Sequence, residues 1–489
     1  MFQPEIKELE NLSNEYKYIP VSTEIFSDIT TPIQVLRILK EQDEHCFLLE
    51  SVEKLEKVGR YSFLGFEPSM EITCQNGVLR IKTNNETKTI ETNSPQDYIK
   101  EILDRHKSPK FDYLPPFTGG LAGYFSYDFI KYYEPALKLD AKDEENFKDV
   151  DLMLFDKIIA FDNIRNKIIL IVNISADDNL KENYEKAIKE LERIKELIQN
   201  GKPYEIKKGK LKSEFKALFN KEEYCKMVEK AKEYIKEGDI FQVVLSNRFD
   251  ADYEGDLLNT YRTLRTINPS PYMFYFGSND IEIAGASPET LVKLENGKLY
   301  TFPLAGTRKR GTTKKEDDAL EKDLLSDKKE LAEHNMLVDL GRNDIGKISK
   351  FGSVEVERYM TIEKFSHVMH IGSTVTGDIR EDKGQLDTIG SILPAGTLSG
   401  APKLRACEII NELENNKRGI YGGAIGYLDF TGNLDTCIAI RIAFKKNNKV
   451  FVRVGAGIVY DSIPENEYIE CINKSKAVIN ALKISQEVL

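Results

Sequence analysis

Two pairs of glutamates stand far apart in the chain, each pair three residues apart: Glu330 and Glu333 in KKELAEHNMLVDLGRND, and Glu467 and Glu470 in PENEYIECINKSK. Both segments have helical spacing. Side chains three apart on a helix share a face, so each pair can aim two carboxylates into one space. Taken singly, such a pair is most often solvated charge. Four carboxylates brought together would repel, and a hard cation between them relieves that. Mg²⁺ fits the donor set, because it takes oxygen ligands, usually only one or two of them protein carboxylates.

Three further features suit an anionic substrate. Arg441 lies in TCIAIRIAF among small residues. The Gly455-Ala456-Gly457 loop lets backbone N–H groups approach an anion closely. The turn from Gly396 to Lys403 puts Thr397, Ser399 and backbone amides beside Pro402, which fits the first turn of a helix, and a helix N-terminus is an anion site. A dinucleotide fingerprint is excluded at 455–457, since the third glycine is missing and a strand, turn and proline follow. The implied ligand is a small polycarboxylate bound partly through a metal. Of only five histidines, His367 and His370 fall in KFSHVMHIGSTV. His370, before a strand run, is the candidate acid–base group.

The elements that must position these groups can be traced along the chain. The first 165 residues are mainly short strands and turns, with helices over Pro32–Glu41 and Pro95–His106. Residues 166–219 contain a helix from Asn179 to Asn200 and then a Lys-rich linker, Pro203–Phe219. Residues 220–489 form the catalytic region, opened by Asn220 as N-cap with Glu223 three later, a capping box. Toward the C-terminus IYGGAIGYLDF, TCIAIRIAF and KVFVRVGAGIVY predict one antiparallel meander. In its middle strand Ile438, Ile440, Ile442 and Phe444 alternate onto one face. The other face carries Arg441, and two readings stay open for it: a cavity, or solvent at a sheet edge.

Composition narrows the class. The chain has 489 residues, 41% hydrophobic and 30% charged, with a net charge of −11. That charge, with no basic cluster interleaved with aromatics, argues against nucleic acid. Lys207–Lys212 is short and flanked by acids. Six cysteines without C-x-x-C spacing suggest neither zinc nor disulfides. The N-terminus lacks a signal peptide's apolar stretch, and no run reaches the ~18 apolar residues of a membrane span, so a cytoplasmic protein is expected.

The segments IAGASPETLV, FPLAGTRKRG, ELAEHNMLVDLGRNDIGK, MHIGSTVTG, GTLSGAPK, GIYGGAIGY and VRVGAGIVYDSIPENEYIEC closely resemble the chorismate-utilising enzymes, in the family's order. The resemblance implies an α+β fold: a four-layer sandwich with two large antiparallel sheets enclosing helices and the active site between them. It further implies Glu333 and Glu470 as direct Mg²⁺ ligands, Glu467 acting through water, and Glu330 as the acid for a leaving hydroxyl. Gly306, Thr307, Tyr421, Arg441, Gly455, Ala456 and Gly457 resemble chorismate contacts, with Lys474 and Thr397 completing the pocket and His370 and Thr397 serving catalysis. Members that add water to chorismate carry a lysine base where this chain has Gln242. Members that make aminodeoxychorismate commonly carry a nucleophilic lysine where it has Ala305, which cannot form that adduct. The anthranilate-forming branch, in which ammonia attacks, is what remains.

LLES (Leu48–Ser51), GRYSFLG and NPSPYMF resemble that branch's tryptophan feedback pocket, which implies Glu50, Ser51, Pro271, Tyr272 and Met273 as tryptophan contacts. A plain hydrophobic core is the alternative for any one of them. No G-x-C-x-G nucleophile turn is present, so a separate glutamine amidotransferase subunit is implied and a hetero-oligomer expected. Two other readings remain open: an aminodeoxychorismate synthase component, or a non-catalytic tryptophan sensor.

Overall fold

The computed structural model describes residues 2–51, 59–177, 179–364 and 368–487; His367 lies outside them. Among the described residues, two antiparallel sheets organise the chain. The first has thirteen strands, ordered Tyr18–Phe26, Lys167–Ser175, Lys157–Asp162, Tyr61–Phe66, Cys46–Glu50, Tyr272–Gly277, Glu282–Ser287, Ile442–Lys446, Lys449–Ile458 and Gln242–Glu254, with short pieces at its end. The second has twelve. It runs from Leu304–Lys309 and Val368–Asp378 through Lys298–Thr301, Thr290–Glu295, Leu434–Ile438, Ala424–Asp429 and Gly120–Phe125 to Thr87–Glu91. Each sheet takes strands from both sides of residue 220.

The sheets pack on each other through aromatic side chains. Phe47, Phe63, Phe274, Phe276, Phe444 and Phe451 of the first meet Tyr124, Phe155 and Tyr427 of the second in one buried cluster. Phe47 and Phe155 meet edge to face at 4.8 Å, a favoured aromatic geometry. Helices cover the outer faces. Pro32–Gln42, Leu180–Asn200, Lys221–Glu237, Leu258–Ile267, Lys403–Glu414 and Pro464–Ile484 pack on the first sheet. Pro95–Arg105, Lys328–Gly346 and Gln385–Ile392 pack on the second. The expected four-layer α+β sandwich is present, with its helices outside the sheets rather than enclosed by them. Because both sheet faces are covered, strands such as KIILIVNIS read as apolar runs instead of alternating.

Local signals account for the boundaries. Glu223 N–H donates to Asn220 Oδ1 at 3.0 Å while Asn220 N–H donates to Glu223 Oε2 at 2.8 Å, closing the capping box. Pro203–Phe219 is strapped to the first sheet: Lys210–Leu211 and Lys216–Ala217 pair with Gln242–Glu254.

The single meander does not form. TCIAIRIAF is split between Leu434–Ile438 in the second sheet and Ile442–Lys446 in the first, so two hairpins in different sheets replace it. Alternation cannot separate one strand from two when both sheets bury the same face. The crossing takes place at Ala439–Arg441, and Arg441 adopts φ 53°, a left-handed conformation costing about 1–2 kcal/mol for a non-glycine residue.

Candidate active site

The two glutamate helices belong to opposite layers. Lys328–Gly346 packs on the strands Leu304–Lys309 and Val368–Asp378 of the second sheet, and Pro464–Ile484 packs on Lys449–Ile458 of the first. Their carboxylates nonetheless sense each other. Burial raises the Glu333 carboxyl above its ordinary range, and the negative charges of Glu330 and Glu470 push it further, against Lys329 and Lys474. Glu467 is raised by burial and by Glu470, while a hydrogen bond from Ser462 opposes. The two pairs are therefore close enough to bias each other's protonation across the two helices. Glu470 is paired with Lys474 at 2.6 Å, and Lys474 Nζ also donates to Gly455 O at 3.0 Å. Glu330 is met by Arg308 at 3.5 Å. Among the described residues no three acidic, histidine or cysteine groups are gathered into a metal cage. All the donors are carboxylate oxygens contributed from two sides, which fits a cation that takes few protein ligands and completes its shell elsewhere.

Deeper in the cleft sits a carboxyl that the sequence did not single out. Glu289 follows the strand Glu282–Ser287 and is pushed up to about 7 by burial, against a hydrogen bond from Thr397 and the charges of Arg441 and Lys474. Thr397 Oγ1 donates to Glu289 Oε1 at 2.9 Å. A carboxyl titrating there can hold a proton and give it up near neutrality. The only cue was the tetrapeptide SPET within IAGASPETLV, whose meaning depends on burial between two sheets. Arg441 supplies the cation: burial lowers its pKa from the ordinary value, with Tyr421, Glu289 and Glu470 opposing, and no ion pair occupies it among the described residues. Arg441 is half-buried at the crossing between the two sheets, and the continuous strand assumed for it does not form.

Gly455, Ala456 and Gly457, expected as a loop, lie within the strand Lys449–Ile458, where the glycines let Tyr421 and Gln242 approach the backbone closely. A Cβ on Gly455 would lie 2.9 Å from the Tyr421 hydroxyl, and one on Gly457 would lie 2.8 Å from the Gln242 amide. Gln242 thus stands directly beside Gly457. Gly306 has φ 65°, and a Cβ there would come within 3.1 Å of Glu330 Oε2. His370 is next to it. Its Nδ1 lies 2.8 Å from Gly306 O and 3.1 Å from Thr307 Oγ1. A carbonyl only accepts, so Nδ1 carries the hydrogen and the neutral ring has its lone pair on Nε2. Burial lowers the His370 pKa, with the Gly306 bond opposing, which favours the neutral base.

The 397–402 turn is not an open anion site. Ser399 is fully buried and donates to Ala395 O at 2.8 Å, and Gly400–Ala401 pairs with Gln242 and Val243. Lys403 is spent on Asp344, both oxygens at 3.0 Å. Thr397 alone of that turn is directed to the cleft chemistry. In the N-terminal region the strands Cys46–Glu50 and Tyr272–Gly277 pair, placing Met273 opposite Glu50. Glu50 accepts from Tyr261 at 2.6 Å and from Arg265 at 3.0 Å. Met273 packs in the helix-covered core, whereas Tyr272 packs toward the inter-sheet cluster and donates to Asp435 at 2.8 Å.

Comparison with known proteins gives the chain's kinship. A family model described as chorismate binding enzyme matches residues 44–480. The chain is 46% identical over 495 residues to anthranilate synthase component 1 of Acetivibrio thermocellus, covering 100% of both chains. It is 46% identical to the same component of Aquifex aeolicus, over 99% of this chain and 98% of that one. The crystal structure of anthranilate synthase component I from Streptococcus pneumoniae superposes with a TM-score of 0.77 at 40% identity, covering 93% of this chain and 98% of that one. A menaquinone-specific isochorismate synthase from Escherichia coli shares the fold, with a TM-score of 0.71 at 19% identity and 98% of each chain covered.

Proposed function

We infer the chemistry from kinship and geometry together: the chain belongs to the chorismate-binding enzyme family and, within it, to the anthranilate synthase component 1 group, chorismate-utilising lyases of tryptophan biosynthesis. The reaction is chorismate plus ammonia to anthranilate, pyruvate and water, the water being the departing C4 hydroxyl. The observation that carries this reading over its hydrating relatives is Gln242 beside Gly457. An amide at that wall cannot take a proton from water, so the nucleophile must arrive as ammonia.

Glu333 and Glu470 would hold Mg²⁺ directly and Glu467 through water; the bound ion would fix the ring carboxylate and draw electron density from the ring. Arg441 binds a substrate carboxylate, with the Gly455–Gly457 backbone, Lys474, Tyr421, Gly306 and Thr307 around it. Glu289, oriented by Thr397, protonates the departing C4 hydroxyl as ammonia attacks C2. This role passes from Glu330, which is engaged by Arg308, to a carboxyl that titrates near neutrality. Neutral His370 then assists removal of the C2 proton as pyruvate leaves and the ring becomes aromatic.

Glutamine-dependent activity needs an amidotransferase subunit to supply ammonia, giving a hetero-oligomer. Glu50, Ser51, Pro271, Tyr272 and Met273 mark the region where tryptophan acts. The cytoplasm is the compartment we assign; the cysteines are free, and no helix among the described residues is long and apolar enough to cross a membrane. Incubation with chorismate, Mg²⁺ and an ammonium salt tests the assignment. Fluorescent anthranilate is expected. Aminodeoxychorismate or unchanged chorismate would overturn it.

A further inference from the structure

Beneath the cleft lies a charged group to which the proposed chemistry gives no part. Glu414, Arg418 and Arg453 are 3%, 2% and 1% exposed. Charges so deep are costly unless every hydrogen bond is made. Here nearly all are. Arg418 donates from Nε to Glu414 Oε2 at 3.0 Å and from Nη2 to Glu414 Oε1 at 2.5 Å. Arg453 donates to the same carboxylate at 2.7 Å and to Ser246 Oγ at 2.8 Å. The Ser246 N–H adds a third support to Glu414 at 2.7 Å.

The two arginines differ in where their remaining bonds go. Arg453 spends its own on the loop after the Lys403–Glu414 helix, at Asn416 Oδ1 (2.9 Å) and Lys417 O (3.0 Å). Arg418 reaches instead toward the cleft wall. Its Nη1 donates to Leu398 O at 2.6 Å, one residue after Thr397. Its Nη2 donates to Val244 O at 2.7 Å, and Val244 is paired with Gly457. Its guanidinium lies 4.5 Å from the Tyr127 ring centroid and 5.8 Å from that of Tyr421. One planar cation, held at its Nε edge by Glu414, thus touches the backing of the Thr397 turn, the strand paired with Gly455–Gly457, and Tyr421. A fork with fixed donors can set those distances; an ammonium cannot reach two carbonyls and a carboxylate in the same geometry.

We propose that Arg418 is a positioning residue for the reaction, fixing the Thr397 turn, and through it the Glu289 carboxyl, against the Tyr421 wall. This rests on the reading of the chain as an ammonia-using anthranilate synthase component. Nothing in the arrangement brings Arg418 to the substrate, so its effect must pass through Thr397 and Glu289.

The test is steady-state kinetics of the ammonia-dependent reaction, per folded enzyme, for Arg418→Lys, Arg453→Lys, Thr397→Val and the Arg418→Lys/Thr397→Val pair. Small misplacement of reacting groups costs about 10²-fold. Arg418→Lys should therefore lose about that much in kcat with KM for chorismate nearly unchanged, because the lost interaction belongs to the transition state. Arg453→Lys should lower Tm while keeping kcat within about threefold, since none of its bonds reaches the Thr397 turn. The double variant should be little worse than Arg418→Lys alone, because residues acting as one unit are not additive. Should Arg418→Lys fail to fold, Glu414→Gln, which loosens the same fork, is read in its place. Unchanged kcat in the variant read, a loss shared equally by Arg453→Lys, or fully multiplicative losses in the pair would each overturn the proposal. Wild-type enzyme that makes no anthranilate would instead overturn the functional reading beneath it.

Discussion

Glu50 and Glu333 are the same residue in two electrostatic settings. At the end of the strand Cys46–Glu50, Glu50 is buried and neutralised within the chain by the Tyr261 hydroxyl and the Arg265 guanidinium. In the cleft, Glu333 has other carboxylates for neighbours, and they raise its proton affinity after burial has already done so. Lys329 and Lys474 oppose, and Lys474 is shared with Glu470 and Gly455 O. An uncompensated charge is unfavourable and persists where something outside the chain completes it. The first region is finished by its own residues; on the proposed reading the second would be finished by a cation and a substrate.

The sharpest way to break that comparison is to remove one charge from the unfinished site. Glu333→Gln and Glu470→Gln should each abolish ammonia-dependent turnover while circular dichroism stays that of the parent. A Mg²⁺ site built from few carboxylates cannot spare one. Near-parental rates at low Mg²⁺ would remove these residues from the metal site.

Next in size are the proton carriers. Glu289→Gln and His370→Ala should each lower kcat by about 10²–10⁴-fold, the usual span for general acid–base groups. With His370→Ala an amino-chorismate intermediate should accumulate, visible by chromatography; an unchanged kcat removes it from the mechanism. Glu289 gives a pH dependence as well. Its carboxyl must be protonated to act, so parental kcat should fall as pH rises through about 7. Its folded proton affinity exceeds that of an unfolded glutamate, so the native state binds the extra proton between about pH 4.3 and 7. The stability this confers is complete below the unfolded value and is lost as pH rises through the folded one. Glu289→Gln should therefore be more stable than the parent at pH 8, by about 1–3 kcal/mol, with the difference gone near pH 4. Equal denaturant midpoints at both pH values would show that Glu289 is not desolvated.

How much of this could be read in the sequence follows from how local each signal is. The Asn220 capping box, the Leu180–Asn200 helix and both glutamate pairs depend on neighbours three or four residues away, and all were legible. The break in TCIAIRIAF was not, because Ile438 and Ile442 alternate as one strand would and only the presence of two sheets separates them. Ser399 looked like an anion ligand until its burial against Ala395 O was known. Glu289 was invisible for the opposite reason: nothing in SPET distinguishes it from a surface glutamate until Thr397 and Arg441, more than a hundred residues later, close over it. The glutamate pairs announce themselves by repetition, and a solitary carboxyl cannot.

The smallest expected effect concerns the finished region and asks whether it is connected to the other. Tyr272 pairs with Ser287 on the strand Glu282–Ser287, which leads two residues later to Glu289. Ala286 N–H on that strand donates to Arg441 O at 3.2 Å. A ligand that shifts Tyr272–Met273 would therefore act on the strand that leads to Glu289, the proposed proton donor, and that bonds the backbone of Arg441, the proposed anion-binding group. Tryptophan can inhibit only as far as it binds a low-activity arrangement better than the active one. A coupling of ~1–3 kcal/mol would weaken chorismate binding about 5–150-fold. Ser51→Phe, next to Glu50 at the strand end, should fill the tryptophan position and relieve inhibition with little change in activity when tryptophan is absent. The measurement is the anthranilate rate against tryptophan concentration at several fixed chorismate concentrations, for parent and variant. A parent enzyme that makes anthranilate yet ignores millimolar tryptophan would leave Glu50 with Tyr261 and Arg265 as structure alone. A Ser51→Phe enzyme inhibited as strongly as its parent would keep the regulation but move its site away from this strand.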